Sequence, residues 1–240
     1  MSEQTVFKRY EMKYMVTKSQ QRIIKNAMEE HMIPDIHGRS TICSLYFDTP
    51  QYILARRSME HPDYKEKLRL RSYGVAKEDS TVFVEIKKKY DGVVYKRRVG
   101  MSFSEATSYL YQHQKVMDTQ ISREIDYCLK RYEGIAPAVM LSYDREAYYA
   151  KDDHEFRMTF DDHILWRDYD LTLDAGIYGE SIIPEGMALL EVKTAGAIPL
   201  WLVKVFSENR IYKTSFSKYA TAYQTIMTRE EQEGVLSYAI

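Results

Sequence analysis

The stretch KEKLRLRSYG at residues 65–74 sets the problem this chain has to solve. In extended backbone, successive side chains point to opposite faces. Leu68 and Leu70 therefore share one face, and Lys67, Arg69 and Arg71 share the other. The leucines ask only for a core. The cations repel one another, since two unit charges about 6 Å apart at an effective dielectric of about 20 cost about 3 kcal/mol. A strand of this kind needs something negative along its charged face.

The same period of two recurs along the chain. Arg9, Glu11 and Lys13 oppose Tyr10, Met12 and Tyr14, and Glu85 and Lys87 oppose Val82, Val84 and Ile86. Arg157, Thr159 and Asp161 oppose Phe156, Met158 and Phe160, and Glu191 and Lys193 oppose Leu190 and Val192. Eight alternating segments read as strands: 6–16, 40–47, 64–73, 81–89, 92–100, 138–149, 155–165 and 187–194. Helices are expected from a Thr17 or Ser19 cap to about Met32, from a Ser102 cap through Tyr109, and from about Ser122 to Tyr132. Two more are expected between about Pro199 and Met227, with a polar, loosely ordered tail from about Arg229. The pattern predicts an α+β fold in a single domain over residues 1–240, with a largely antiparallel sheet of about eight strands. Helices prefer apolar faces, so a sheet that curls into a barrel with its helices outside points the charged faces into the lumen.

A half-solvated sheet would also carry polar faces. These faces, however, are rich in arginine and mix cations with a few carboxylates. Buried like charge is costly without a counter-anion. Arginine forks suit phosphate oxygens and lysines supply point charges, so a polyphosphate is the expected partner. Glu11, Glu85 and Glu191 are the carboxylates a divalent cation shared with phosphates would need.

Global charge excludes a general nucleic-acid coat, because 34 Lys and Arg stand against 35 Asp and Glu. Two distant cysteines, Cys43 and Cys128, suggest neither a disulfide framework nor a metal site. With no signal-peptide pattern and no apolar run long enough to span a bilayer, a cytoplasmic location is expected. No P-loop or dinucleotide glycine motif is present, and the six histidines are scattered, with His163 beside Asp161 and Asp162 a minor candidate for metal binding.

RYEMKY, SLYFDTP, EKLRLRSYG, VFVEIKKK, YKRR, SYDREAY, FRMTFD, LLEVKT and FSKY, in this order, resemble a VTC domain. That is the polyphosphate-polymerase catalytic domain of the vacuolar transporter chaperone complex, a branch of the triphosphate tunnel metalloenzymes (CYTH-like superfamily). The resemblance covers about residues 5–225. It implies an antiparallel eight-stranded β-barrel tunnel with helices packed outside, in which ATP donates its γ-phosphate to a growing polyphosphate chain, with Mn2+ or Mg2+ bound. It assigns Arg69, Arg71, Lys87, Arg145, Arg157 and Lys218 to catalysis, and Lys13, Lys96, Arg97 and Tyr143 to substrate binding; Lys67 and Lys193, which alternation puts on the same charged faces, are expected to bind substrate beside them. Of Lys96 and Arg97, alternation leaves one facing inward. Glu191 looks like the metal ligand, with Glu11 and Glu85 beside it.

The hydrolase branch carries Glu-x-Glu-x-Lys in its first strand, whereas Arg9, Glu11 and Lys13 stand here, which favours transfer over hydrolysis. A tunnel-type triphosphatase and a non-catalytic polyphosphate-binding module are the alternative readings. No membrane-spanning segment is expected, so any membrane coupling falls to a separate protein.

Overall fold

The computed structural model of the chain describes residues 6–7, 10–60, 63–91, 93–114 and 116–237. The first alternating segment forms β1 (Val6–Phe7) and β2 (Tyr10–Thr17), and Arg9 lies outside the described residues. There follow α1 (Lys18–Met28), the long β3 (Met32–Asp48), α2 (Ile53–Met59) and three successive strands, β4 (Tyr64–Tyr73), β5 (Thr81–Tyr90) and β6 (Val93–Ser102). Helices α3 (Phe103–Gln112) and α4 (Gln120–Arg131) lead into β7 (Ala136–Ala150) and β8 (Arg157–Arg167). The chain ends with β9 (Glu180–Ser181), β10 (Met187–Thr194), α5 (Leu200–Glu208), β11 (Lys213–Thr214) and α6 (Lys218–Ser237). Where a loose tail is expected from Arg229, α6 continues through Ser237.

The helix starts follow local chemistry. Thr17 and Gln20 close a capping box on α1, Ser102 and Glu105 close one on α3, and Thr119 and Ser122 close one on α4. Helix α4 therefore begins at Gln120, two residues before the expected start near Ser122. Helix α2 has no side-chain cap next to it. Instead the carboxylate of Asp48 accepts the backbone N–H groups of Leu54 and Ala55, both at 2.9 Å.

Among the described residues eleven strands form one sheet, in the order β1-β6-β5-β4-β3-β7-β8-β10-β2-β11, with β9 on the side of β8. All pairings are antiparallel. The hydrogen-bonded order is open, so it does not describe the closed eight-stranded barrel expected above. The count differs because short loop segments add β9 and β11, and because the first alternating segment pairs at both margins, as β1 on β6 and as β2 between β10 and β11.

The sheet is nonetheless strongly curled. Strands β5 and β2 stand six steps apart in this order, about 29 Å on a flat sheet at about 4.8 Å per step. Yet Lys87 Nζ of β5 lies 3.6 Å from Glu11 of β2. The charged faces are concave and the apolar faces convex. Leu68, Leu70, Val82, Val84 and Ile86 pack under α2, α3 and α4 in one buried cluster. Tyr14, Phe156, Met158, Phe160, Leu190 and Val192 pack under α1 and α5 in another. Burying each of these large side chains stabilises the fold by about 1.5–3 kcal/mol relative to exposure. Helix α6 lies on the opposite side: Tyr219, Ala222, Tyr223 and Ile226 meet Tyr46, Val139 and Leu141. It closes part of the concave face and brings Lys218 to its edge.

Candidate functional site

Two carboxylate-centred clusters organise the concave face. In the first, Asp161 of β8 is fully buried. It accepts a two-pronged bond from Arg145 of β7, with Nε and Nη2 both at 2.6 Å, and a further short bond from Lys218 Nζ at the start of α6. Glu191 of β10 stands beside it, 7% exposed. Its oxygens lie 3.4 Å from Arg145, 3.5 Å from Lys218, 3.6 Å from Lys193 and 3.8 Å from Lys13. Burial pushes both carboxyls up, but Lys218 and Arg145 outweigh it and hold Asp161 below, and Glu191 well below, the usual carboxylate range.

In the second cluster, Glu85 of β5 is 2% exposed and is gripped by Arg69, with Nε at 2.8 Å and Nη2 at 2.6 Å, while Arg71 stands 3.8 Å away. Lys96 of β6 lies 2.9 Å from Glu85 Oε1 but off the line of a hydrogen bond, so that oxygen is paired by charge alone. Burial raises Glu85, but Arg69, Arg71 and Lys96 prevail and hold it ionised.

Glu11 of β2 stands between strands, 3.5 Å from Lys13 and 3.6 Å from Lys87 of β5. Burial pushes it up, yet Lys87, Lys193 and Lys13 hold it at about 2. Lys67 of β4 donates to Ser217 Oγ at 3.1 Å, and Lys13 to the Phe216 carbonyl at 2.9 Å, so the segment entering α6 is bound to the site. The N-terminus of α6 adds its own positive potential there.

Nine of the expected cations therefore meet on one face with four carboxylates: Lys13, Lys67, Arg69, Arg71, Lys87, Lys96, Arg145, Lys193 and Lys218 around Glu11, Glu85, Asp161 and Glu191. The excess positive charge is expressed in the lysines. Burial pushes Lys67 and Lys96 down to about 8 and also lowers Lys193.

Two expected residues are placed elsewhere. Arg97 points to the convex side, where Nε pairs with Glu124 of α4 at 3.1 Å, so Lys96 is the inward member of that pair. Arg157 begins β8, is exposed, and donates to the His154 carbonyl at 3.2 Å; the cationic ring does not include it. Tyr143 is 4% exposed. Its hydroxyl accepts from Arg71 at 3.1 Å, and its ring lies under Lys218 and Arg145 at 4.5 and 5.2 Å. It orders cations more than it offers a surface for a nucleotide base.

Asp161 is the residue sequence reasoning left out. Alternation places it on the face of Thr159, but only the fold brings it to Arg145 and Lys218. Tyr46 was also missed, and its hydroxyl accepts from Arg69 at 2.8 Å. His163 is exposed and sits with Asp144 and Asp162. The Arg39 guanidinium already bridges those two carboxylates, so this group is neutralised by an internal cation.

The four carboxylates of the concave face differ in how closely cations hold them. Asp161 and Glu85 are each locked to a guanidinium at 2.6 Å. The cations around Glu191 and Glu11 stand 3.4–3.8 Å away, and both carboxylates are held ionised. Oxygen ligands of this kind suit Mg2+ or Mn2+.

The family model for the VTC domain matches residues 8–227. No curated protein sequence matches the chain. Among solved structures, a candidate adenylate cyclase from Bacillus halodurans is similar at 13% identity and a TM-score of 0.56, covering 89% of this chain and 95% of that one. A candidate adenylyl cyclase from Hippeastrum, described as having a dominant triphosphatase activity, is similar at 14% identity and a TM-score of 0.52, covering 90% and 95%. At these identities the two neighbours establish the fold alone. Among the described residues no helix is long and apolar enough to cross a membrane.

Proposed function

This chain belongs to the VTC domain family, and from that premise we propose that it is a polyphosphate polymerase. It transfers the γ-phosphoryl group of ATP to the end of an inorganic polyphosphate chain held on the curled, cation-lined face. The observation that carries this reading is the gathering of nine cations around four ionised carboxylates on one concave surface. Such a surface is electrostatically incomplete without a polyanion, and a chain with one negative charge per phosphate supplies it in an extended form.

The residues divide the work. Arg69 and Arg71, fixed by Glu85, Ser44 and Tyr143, offer phosphate oxygens the N–H groups that these partners leave over. Arg145 and Lys218, anchored by Asp161, neutralise charge on the transferring group. Lys13, Lys67, Lys87, Lys96 and Lys193 hold the chain on either side. Glu191 with Glu11 would hold a divalent cation, which supplies Lewis-acid neutralisation of phosphate oxygens. The terminal oxygen of the chain attacks the γ-phosphorus in line. The bond to the bridging oxygen breaks, and ADP leaves with the electron pair. One anhydride forms as another is lost, and the attacking oxygen is already ionised near neutrality, so no strong base is needed.

A triphosphatase would use the same clamps with water as nucleophile. Products separate the two. With ATP, Mn2+ and a polyphosphate primer, transfer yields ADP without stoichiometric orthophosphate. Equal ADP and orthophosphate would replace the polymerase reading with the hydrolase one. Neither product, with tripolyphosphate still raising the melting temperature, would leave a binding module.

A further inference from the structure

Tyr46 lies beside the cations of β4 and has no task in the reading above. It is 8% exposed, and its hydroxyl accepts from Arg69 Nη1 at 2.8 Å. Its ring lies flat on Tyr219, with centroids 4.6 Å apart and planes 8° from parallel. Tyr219 in turn donates to the Asp48 carboxylate that holds the start of α2. The phenol is thus fixed in orientation by a stack that is itself tied down. Among the described residues the Tyr46 hydroxyl donates to nothing, although a buried tyrosine ordinarily finds a partner for its O–H. Arg69 meanwhile spends its other nitrogens on Glu85. What remains is a buried phenol oxygen that receives from a cation and lacks an acceptor for its own proton.

We propose that Tyr46 is a proton-linked ligand contact. With the concave face free, its oxygen faces the cations as a phenolate. When a phosphate chain binds, the oxygen takes up one proton and donates it to a phosphate oxygen while still accepting from Arg69. This deepens the phosphate-chain reading and rests on it. The proton comes from solvent, and no bond to phosphorus forms or breaks.

The charges around Tyr46 give the direction. Burial pushes the phenol up, but Arg69, Lys67 and Arg71 of β4 outweigh it and hold it at about 7. Glu85 of β5 is already committed to Arg69. Tyr219 of α6 is driven well above the ordinary range by burial and by Asp48, and stays neutral. A bound polyanion cancels the β4 cations and lets burial prevail, so the phenol gains its proton.

The test follows the tyrosinate absorbance of the full chain from about pH 6 to about pH 9, below the ordinary tyrosine range near 10. It is run with and without saturating inorganic tripolyphosphate, beside Tyr46→Phe, which keeps the ring and the stack. Other phenols, Tyr64, Tyr111, Tyr132 and Tyr148 among them, are pushed upward and do not interfere. The expected result is one early-titrating tyrosinate per chain that is absent in Tyr46→Phe and suppressed by tripolyphosphate. Wild-type affinity should also fall by up to about tenfold more per pH unit above 7 than that of the variant. An absent early tyrosinate, or one that persists with tripolyphosphate bound, overturns the proposal. Failure of tripolyphosphate to bind contradicts the phosphate-chain reading itself, and with it the linkage.

Discussion

Replacing Glu85 by glutamine leaves Arg69, Arg71 and Lys96 facing one another without their shared countercharge. Removing one partner of a buried ionic cluster costs about 3–5 kcal/mol, so Glu85→Gln should lower the melting temperature markedly, with tripolyphosphate recovering part of the loss. An unchanged melting temperature would mean that the cations do not strain the fold. Glu191→Gln should instead abolish turnover while leaving tripolyphosphate affinity intact or stronger, since a negative charge has left a cationic face; isothermal titration separates the two effects. Lys67 and Lys96, held near 8 by burial, give a paired prediction with opposite signs. As pH rises through about 8 they lose protons and tripolyphosphate binding weakens. The unfolded chain keeps those protons up to the ordinary lysine value of 10.5, so their contribution to stability rises over the same window. Denaturant melts and binding isotherms across that range check both signs. At this scale the sequence is legible wherever alternation alone decides, as for Arg69, Arg71, Lys87 and Lys193. It is silent where position along the strand decides: Arg157 shares the right face but begins its strand in solvent. It is also silent between Lys96 and Arg97, which Glu85 and Glu124 sort only once β5 and α4 are in place.

Among the elements, α6 links the site to the rest of the fold. Its first residue enters the cluster around Asp161, and its second, Tyr219, donates to the buried Asp48 carboxylate that holds α2. Tyr219→Phe should lose about 1.5–3 kcal/mol for one hydrogen bond to a charged carboxylate, measured by denaturant unfolding. A cost within a few tenths would show that the bond is dispensable. The capped helices α1 and α3 announce themselves through Thr17 with Gln20 and Ser102 with Glu105. Helix α2 does not, because Tyr52 before it has left-handed backbone at φ 53° and no capping bond. Its N–H groups are satisfied by Asp48, a residue that reads locally as the end of a strand.

At the scale of the whole molecule, curling turns a set of individually awkward strands into one binding surface. The charged face of β4 repels itself, and the convergence of the strands both supplies four shared carboxylates and leaves cations in excess. The alternation made the layering foreseeable, with apolar faces under helices and charged faces inward. The strand count and the open pairing order were not foreseeable, because they depend on loop segments that pair only after the sheet has formed and on one chain segment that serves both margins. A surface of partly exposed cations should bind tripolyphosphate with a steep loss of affinity between low and physiological salt, and salt-insensitive binding would place the ligand elsewhere. The most direct measurement is to incubate the purified chain with ATP and Mn2+ and resolve the products on a gel that separates phosphate chains. The account predicts a ladder of long polyphosphate accompanied by ADP and absent with Glu191→Gln. Orthophosphate with no chain longer than the substrate would contradict it.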